Sequence, residues 1–236
     1  MTPASSSGTT FDRARSAVDA TLLNRSGKVF YSGRAAFSQP SRLYILGLNP
    51  GGCPERQHDE TIARSSAEVA DIFPEQWSAY QDECWGKPAG EHGMQPRVLC
   101  LFKEIFKEIG KLPGLIPASN VVFVRTKSEA DLASEKVKLL NACWKFHQLV
   151  IDELGVDTIV CFGQTAGQWV REKLSAHHVW GDCFQEDNKR RWKSTAHSNA
   201  EGRVVVTLTH PSRANWCRAA SDPSPMVKRV LGRVVS

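Results

Sequence analysis

Short runs of apolar, strand-forming residues alternate along the chain with stretches whose apolar positions recur every three or four residues. Leu43-Tyr44-Ile45-Leu46 is the first such run, and it stops abruptly at Gly47-Leu48-Asn49-Pro50-Gly51-Gly52, as a buried parallel strand does where it leaves a sheet. Asn120 to Val124, Asp157 to Phe162 and Arg203 to Thr209 read as three further buried strands. Between them, helical spacing places Phe11, Ala14, Val18 and Leu22 on one face of a helix over 11 to 23, and Val98, Leu101, Phe102, Ile105 and Phe106 on one face of a helix over 96 to 109. A long helix capped by Ser134 and running to Leu154 is expected to present Val137, Leu140, Trp144 and Ile151 on one face. Gly163-Gln164-Thr165-Ala166-Gly167 leads the third strand into a helix ending at Leu174, and a last helix covers about 223 to 234. From His178 to His197 the pattern suggests a β-hairpin with an exposed tip at Lys189-Arg190-Arg191.

Strands alternating with helices imply an α/β protein, a three-layer α/β/α sandwich around a mainly parallel, four-stranded sheet. Residues 1 to 10 lack apolar periodicity and read as a flexible tail, leaving 11 to 236 as one domain. Residues 53 to 93 form a long polar insertion, with short helices expected at about 59 to 70 and 74 to 82 and with Trp77, Tyr80 and Trp85 as its aromatic punctuation. No internal repeat is visible.

Composition narrows the classes. No run approaches the roughly 18 apolar residues of a membrane helix. The formal charge of +5 is compatible with a polyanionic partner without having the density of a purely electrostatic DNA binder. The seven cysteines, Cys53, Cys84, Cys100, Cys143, Cys161, Cys183 and Cys217, include no Cys-x-x-Cys pair. With no secretory leader read at the start, they are expected to be reduced thiols in a cytoplasmic, or nuclear, protein without metal or cofactor.

Each buried strand ends in polar residues: Asn49, then Arg125 and Thr126, then Gln164, then His210 with Ser212. In a parallel sheet these ends share one edge, where open α/β folds bind ligands, so Asn49 and His210 can face each other across a cleft. Each motif alone also has a plain structural use. Asn49 can cap its turn, and His-Pro-Ser makes a good turn with a hydrogen-bonded histidine.

Taken together, Gly47-Leu48-Asn49-Pro50-Gly51 after the first strand and His210-Pro211-Ser212 after the last resemble the paired motifs of the uracil-DNA glycosylase superfamily, in its mismatch-specific and single-strand-selective monofunctional branches. The resemblance covers roughly residues 40 to 235 and implies an enzyme that hydrolyses the N-glycosidic bond of uracil or a related deaminated base flipped out of single- or double-stranded DNA. It implies Asn49 as the group that places water and His210 as the neutral donor that stabilises the departing base. Gly47, Leu48, Pro50, Gly51, Asn120, Thr126 and Ser212 would line the base pocket. Asn120 resembles the base-reading Asn of the thermophilic four-cysteine branch, whereas the single-strand-selective branch keeps Asn where this chain has Thr126. Phe73, Trp77, Tyr80 and Trp85 are the candidates for stacking on the base. Arg213 would fill the gap left in the duplex, with Asn215, Arg218 and the Lys189-Arg190-Arg191 tip at the DNA; a solvated basic face is the alternative for that tip. The implied protein is a monomer. A catalytically weak member that binds damaged or single-stranded DNA is a second reading. A small-molecule hydrolase or nucleotide binder on a similar sheet is a third, for which the opening loop lacks both a Walker lysine and Gly-x-Gly-x-x-Gly.

Overall fold

A computed structural model describes residues 8–181 and 183–233. Its sheet is built on β1 (Leu43–Gly47), whose five residues are all buried, flanked by β2 (Ala118–Asn120) on one side and β3 (Thr158–Phe162) on the other. β7 (Val204–Leu208) pairs with β3, so β2-β1-β3-β7 run parallel. All four are buried throughout, and β1, β3 and β7 are mostly apolar runs, because helices cover both sheet faces; β2 is Ala-Ser-Asn. Beyond β7 the sheet turns antiparallel through β6 (Lys193–Ser198) to β4 (His178–Val179), while β5 (Phe184–Gln185) pairs with β6 to form the expected hairpin.

On one face lie α1 (Thr10–Ser16), α4 (Lys136–Glu153) and α5 (Gln164–Lys173). Tyr44 of β1 reaches His147 of α4 there, hydroxyl to Nδ1, at 2.9 Å. Gly167 lets α5 approach β7, since a Cβ at that position would stand 2.1 Å from the Thr207 hydroxyl. On the other face, α3 (Gln95–Ile109) packs against α6 (Ser224–Leu231), and Phe162 stacks edge-on to Trp216 and Tyr80. The central sheet of mostly parallel strands between helices is the three-layer α/β arrangement expected from the pattern, but among the described residues it has seven strands, the expected four parallel ones being extended by antiparallel β6, β4 and β5. Among the described residues no helix is long and apolar enough to cross a membrane.

Several boundaries differ from the pattern. The second strand ends at Asn120; Val121 and Val122 are buried bends whose N–H groups donate to the Gly47 and Leu48 carbonyls, and Phe123 and Val124 then meet the segment after α1, with Lys28 N–H bonded to the Phe123 carbonyl. Phe11 to Leu23 is split into α1 and a 3-10 turn at Ala20–Leu22, interrupted where Asp19 caps Thr21. Thr9 caps α1 in a reciprocal box with Asp12, so the end of the supposed tail is structured, while residues 1–7 lie outside the described residues. The insertion contains one helix, α2 (Ile62–Asp71); residues 74 to 82 are turns held by Asp82 on the Ser78 N–H. α4 starts after Glu135, not on a Ser134 cap, and its buried face carries Leu139, Leu140, Cys143, Phe146, His147, Val150 and Ile151; Val137 is 64% exposed. The last helix ends at Leu231, and residue 234 lies outside the described residues. Cys100 and Cys217 form a disulfide between α3 and the loop after β7, correcting the expectation of seven reduced thiols.

Candidate active site at the carboxyl edge of the sheet

The parallel strands deliver their carboxyl ends to one cleft of about 1290 Å³, whose lining includes Asn49, Asn120, Gly163, His210 and Arg213. Two distant turns are thereby brought to the same cavity, as the shared polarity of parallel strands requires. Their side chains are held by different means.

Asn49 is half-buried and tethered through its amide nitrogen. Nδ2 donates to the Thr126 hydroxyl at 2.8 Å and to the carbonyls of Pro50 and Val124 at 3.0 and 3.4 Å. Two of these partners are carbonyl oxygens, which can only accept, so the amide orientation is fixed with Oδ1 as the acceptor left to offer. Thr126 passes the restraint on, its hydroxyl donating to the Ser128 carbonyl at 2.8 Å. Thr126 therefore does not line the cleft as a base-reading residue: it positions Asn49. Pro50 is likewise buried outside the cleft lining, and its carbonyl ties the turn together by accepting from Asn49 and from the Thr126 N–H.

His210 follows β7 in a tight turn. The Ser212 N–H donates to Nδ1 at 3.1 Å and the Ser212 hydroxyl lies 2.7 Å from the same atom, so Nδ1 is the unprotonated nitrogen and Nε2 carries the hydrogen. Burial pushes the imidazole down to about 4, Arg213 pushes the same way, and Glu129 opposes them in part. At neutral pH the ring is thus an uncharged N–H donor. Gly163, at φ 96°, has the left-handed backbone that glycine tolerates and supplies the surface on which the ring packs, 3.5 Å from its missing Cβ to His210 Cδ2.

Asn120 ends β2 opposite Gly47 in register, is 5% exposed and has the Tyr31 hydroxyl beside its side chain, with an Nδ2 that no acceptor meets in hydrogen-bond geometry. A buried amide hydrogen without an acceptor costs on the order of 1–3 kcal/mol, so such a group in a cleft is a candidate for ligand contact. Gly47 makes room for it: a Cβ there would stand 2.1 Å from Asn120 Oδ1. Leu48 and Gly51 also line the cleft, and Gly51 gives its carbonyl to Arg125 Nη1 at 3.0 Å.

Of the aromatic candidates, Phe73, Tyr80 and Trp85 line the cleft and Trp77 does not; Trp77 is covered by Lys28, whose Nζ sits 4.9 Å from its ring centre. The cleft also holds ion pairs that the strand-end motifs did not reveal. Lys28 bonds both oxygens of Glu83 at 2.5 and 2.6 Å, with desolvation depressing the amine, and Arg125 meets Glu60 at 2.7 Å. Lys28 sits just before an apolar run and its partner is 55 residues away, so no local signal marked the pair. Glu129, which follows the strand-end loop at Arg125 to Ser128, was missed too.

The basic residues divide. Arg213 lines the cleft and is exposed, as does Ser212. Arg190 lies over Trp192 with 4.4 Å to the ring centre, bonds the Arg213 carbonyl and pairs with buried Glu186; Lys189 and Arg191 flank it, all three exposed at the hairpin tip. Asn215 is spent within its own loop, accepting from the Cys217 N–H at 3.2 Å, and Arg218 is exposed just before the 3-10 turn Ala219–Ser221. Among the described residues no group of His, Cys, Asp and Glu is arranged to hold a metal ion.

Fold and site together define an α/β sandwich with a deep polar and aromatic cleft at its carboxyl edge, carrying an oriented amide and a neutral imidazole. No family model matches the chain, and no curated protein matches it.

Proposed function

We propose that this protein is a monofunctional DNA glycosylase that hydrolyses the N-glycosidic bond of uracil or a related deaminated base flipped out of DNA. The observation that carries the reading is the meeting of Asn49 and His210 in one cleft, each held in the state the chemistry requires. Breaking the bond leaves negative charge on the base and positive charge on the sugar, so the site needs a donor at the base and an oriented water at the sugar. The Nε2–H of neutral His210 is that donor, and Asn49 Oδ1 is the acceptor that holds the water. The proton-poor Nδ1, fixed by Ser212, keeps the donor on the nitrogen that is free.

Base choice falls to Asn120. Its unpartnered Nδ2 is matched by a carbonyl oxygen, which deaminated bases present where the parent bases carry an amino group. Phe73, Tyr80 or Trp85 would stack on the base. Arg213 at the cleft mouth would occupy the gap it leaves, and Lys189, Arg191 and Arg218 would meet phosphates.

The test is release of free base from oligonucleotides carrying one uracil, hypoxanthine or xanthine, single-stranded and paired. Excision by the wild type, abolished in Asn49→Ala and His210→Ala with DNA affinity retained, supports the reading. Tight binding to damaged DNA without release of any base would favour a sensor instead.

A further inference from the structure

An amide can orient water but is a poor proton acceptor, so the site as described lacks a base. Four carboxylates line the cleft: Glu60, Glu68, Glu83 and Glu129. The first three point their charge at Arg125, Arg64 and Lys28, at 2.7, 3.0 and 2.5 Å. Glu129 is paired too, with Lys136 at 2.7 Å, and differs in where the chain fastens it. It directly follows Ser128, whose carbonyl ends the chain of hydrogen bonds from Asn49 Nδ2 through the Thr126 hydroxyl. On its other side it accepts from the hydroxyl of Thr165 at 2.6 Å, two residues past the Gly163 on which His210 rests. Glu129 is therefore fastened to both arms of the site.

Lys136 donates to the same oxygen, Oε1, at 2.7 Å, and Oε2 takes part in neither contact. The charged and titratable groups facing this carboxylate are Lys136 from α4, and His210 and Arg213 from the loop after β7. Lys136 first, then Thr165 and Arg213, hold the carboxyl below its ordinary range, so it is an anion at neutral pH. Half of its side-chain surface remains exposed.

We infer that Glu129 is the general base of the reaction, accepting a proton from the water that Asn49 orients; this inference rests on the glycosylase reading of the cleft. In the step, the water oxygen forms a bond to the anomeric carbon and its proton passes to the Glu129 carboxylate. The bond from that carbon to the base nitrogen breaks, and its electron pair leaves on the base, where the His210 N–H meets the charge. The proton on Glu129 then returns to solvent and the base takes one up, leaving an abasic sugar and the free base.

The experiment measures single-turnover release of uracil, hypoxanthine and xanthine from the same oligonucleotides across pH, for wild type, Glu129→Gln and Lys136→Met. Glu129→Gln keeps the shape and the Thr165 contact, and is expected to lower the plateau rate by about 100-fold or more with DNA affinity unchanged, a typical general-base contribution. Lys136→Met removes the group that most depresses Glu129 and is expected to move the acid limb of the rate profile to higher pH. A Glu129→Gln rate close to wild type overturns the assignment while leaving the glycosylase reading intact. A wild type that releases no base refutes both, a result separate from an active wild type with an active Glu129→Gln.

Discussion

Replacing Gly47 with alanine adds a single methyl group where the end of β1 faces Asn120, and the structure gives it no space. The new carbon would stand 2.1 Å from Asn120 Oδ1, well inside any real non-bonded contact, and a tight 3.3 Å from its Cγ. Because Gly47 and Asn120 are paired in register, either the strands part or the Asn120 amide swings away. Parting the strands is overpacking at a fully buried position, which costs about 1–3 kcal/mol. Swinging the amide costs on the order of 0.5–1.5 kcal/mol of rotamer strain and removes the proposed base-reading group. For a chain of this size, about 1 kcal/mol lowers Tm by roughly 2–4 °C, so Gly47→Ala is expected to melt about 1–12 °C below wild type. Thermal unfolding followed by circular dichroism gives the first number. Base release from uracil-containing oligonucleotides gives the second, with a loss of at least about tenfold in kcat/KM expected if about 1.4 kcal/mol of base recognition goes with the amide. An unchanged Tm together with unchanged base release would refute the claim that Gly47 exists to seat Asn120.

Thr126→Val is expected to leave Asn49 Nδ2 with only the Pro50 and Val124 carbonyls, lowering single-turnover kcat by about 10- to 100-fold while DNA affinity by titration is retained, since positioning and not binding is lost. Two histidines should make stability fall in acid: burial pushes His147 down to about 3 and His210 to about 4 from the ordinary 6.5, so both bind protons more readily unfolded. Their contribution is complete above about pH 6.5 and is lost as pH falls from there through 4 and then 3, and denaturant midpoints measured over that window should decline in wild type and less steeply in His147→Phe. Reduction of Cys100–Cys217, which spans 117 residues, should lower stability by about 2–5 kcal/mol, read as a fall in Tm on adding a thiol reductant that Cys217→Ser no longer shows.

The architecture was legible because the decisive strands are short apolar runs closed by turns, a pattern set by burial on both sheet faces. Asn49 and His210 were legible for a related reason: both follow such runs directly, and parallel pairing puts their ends on one edge. Positions whose role depends on long-range partners were not. Thr126 resembled a base-reading position, and only the fold shows its hydroxyl occupied by Asn49 and Ser128. Val137 fits a helical stripe by spacing, yet the helix turns it to solvent because the sheet lies under Leu140, Cys143 and His147. Lys28 with Glu83, and Cys100 with Cys217, meet across loops whose paths no local periodicity encodes.

The most direct measurement of the whole account is release of free base by the wild type, Asn49→Ala and His210→Ala from one set of deaminated oligonucleotides, with DNA affinity recorded in parallel. The account predicts abasic sites with the wild type, a loss of several orders of magnitude in release rate in each variant, and affinities that barely move. Undiminished release after loss of His210, or binding and release falling together, would contradict it.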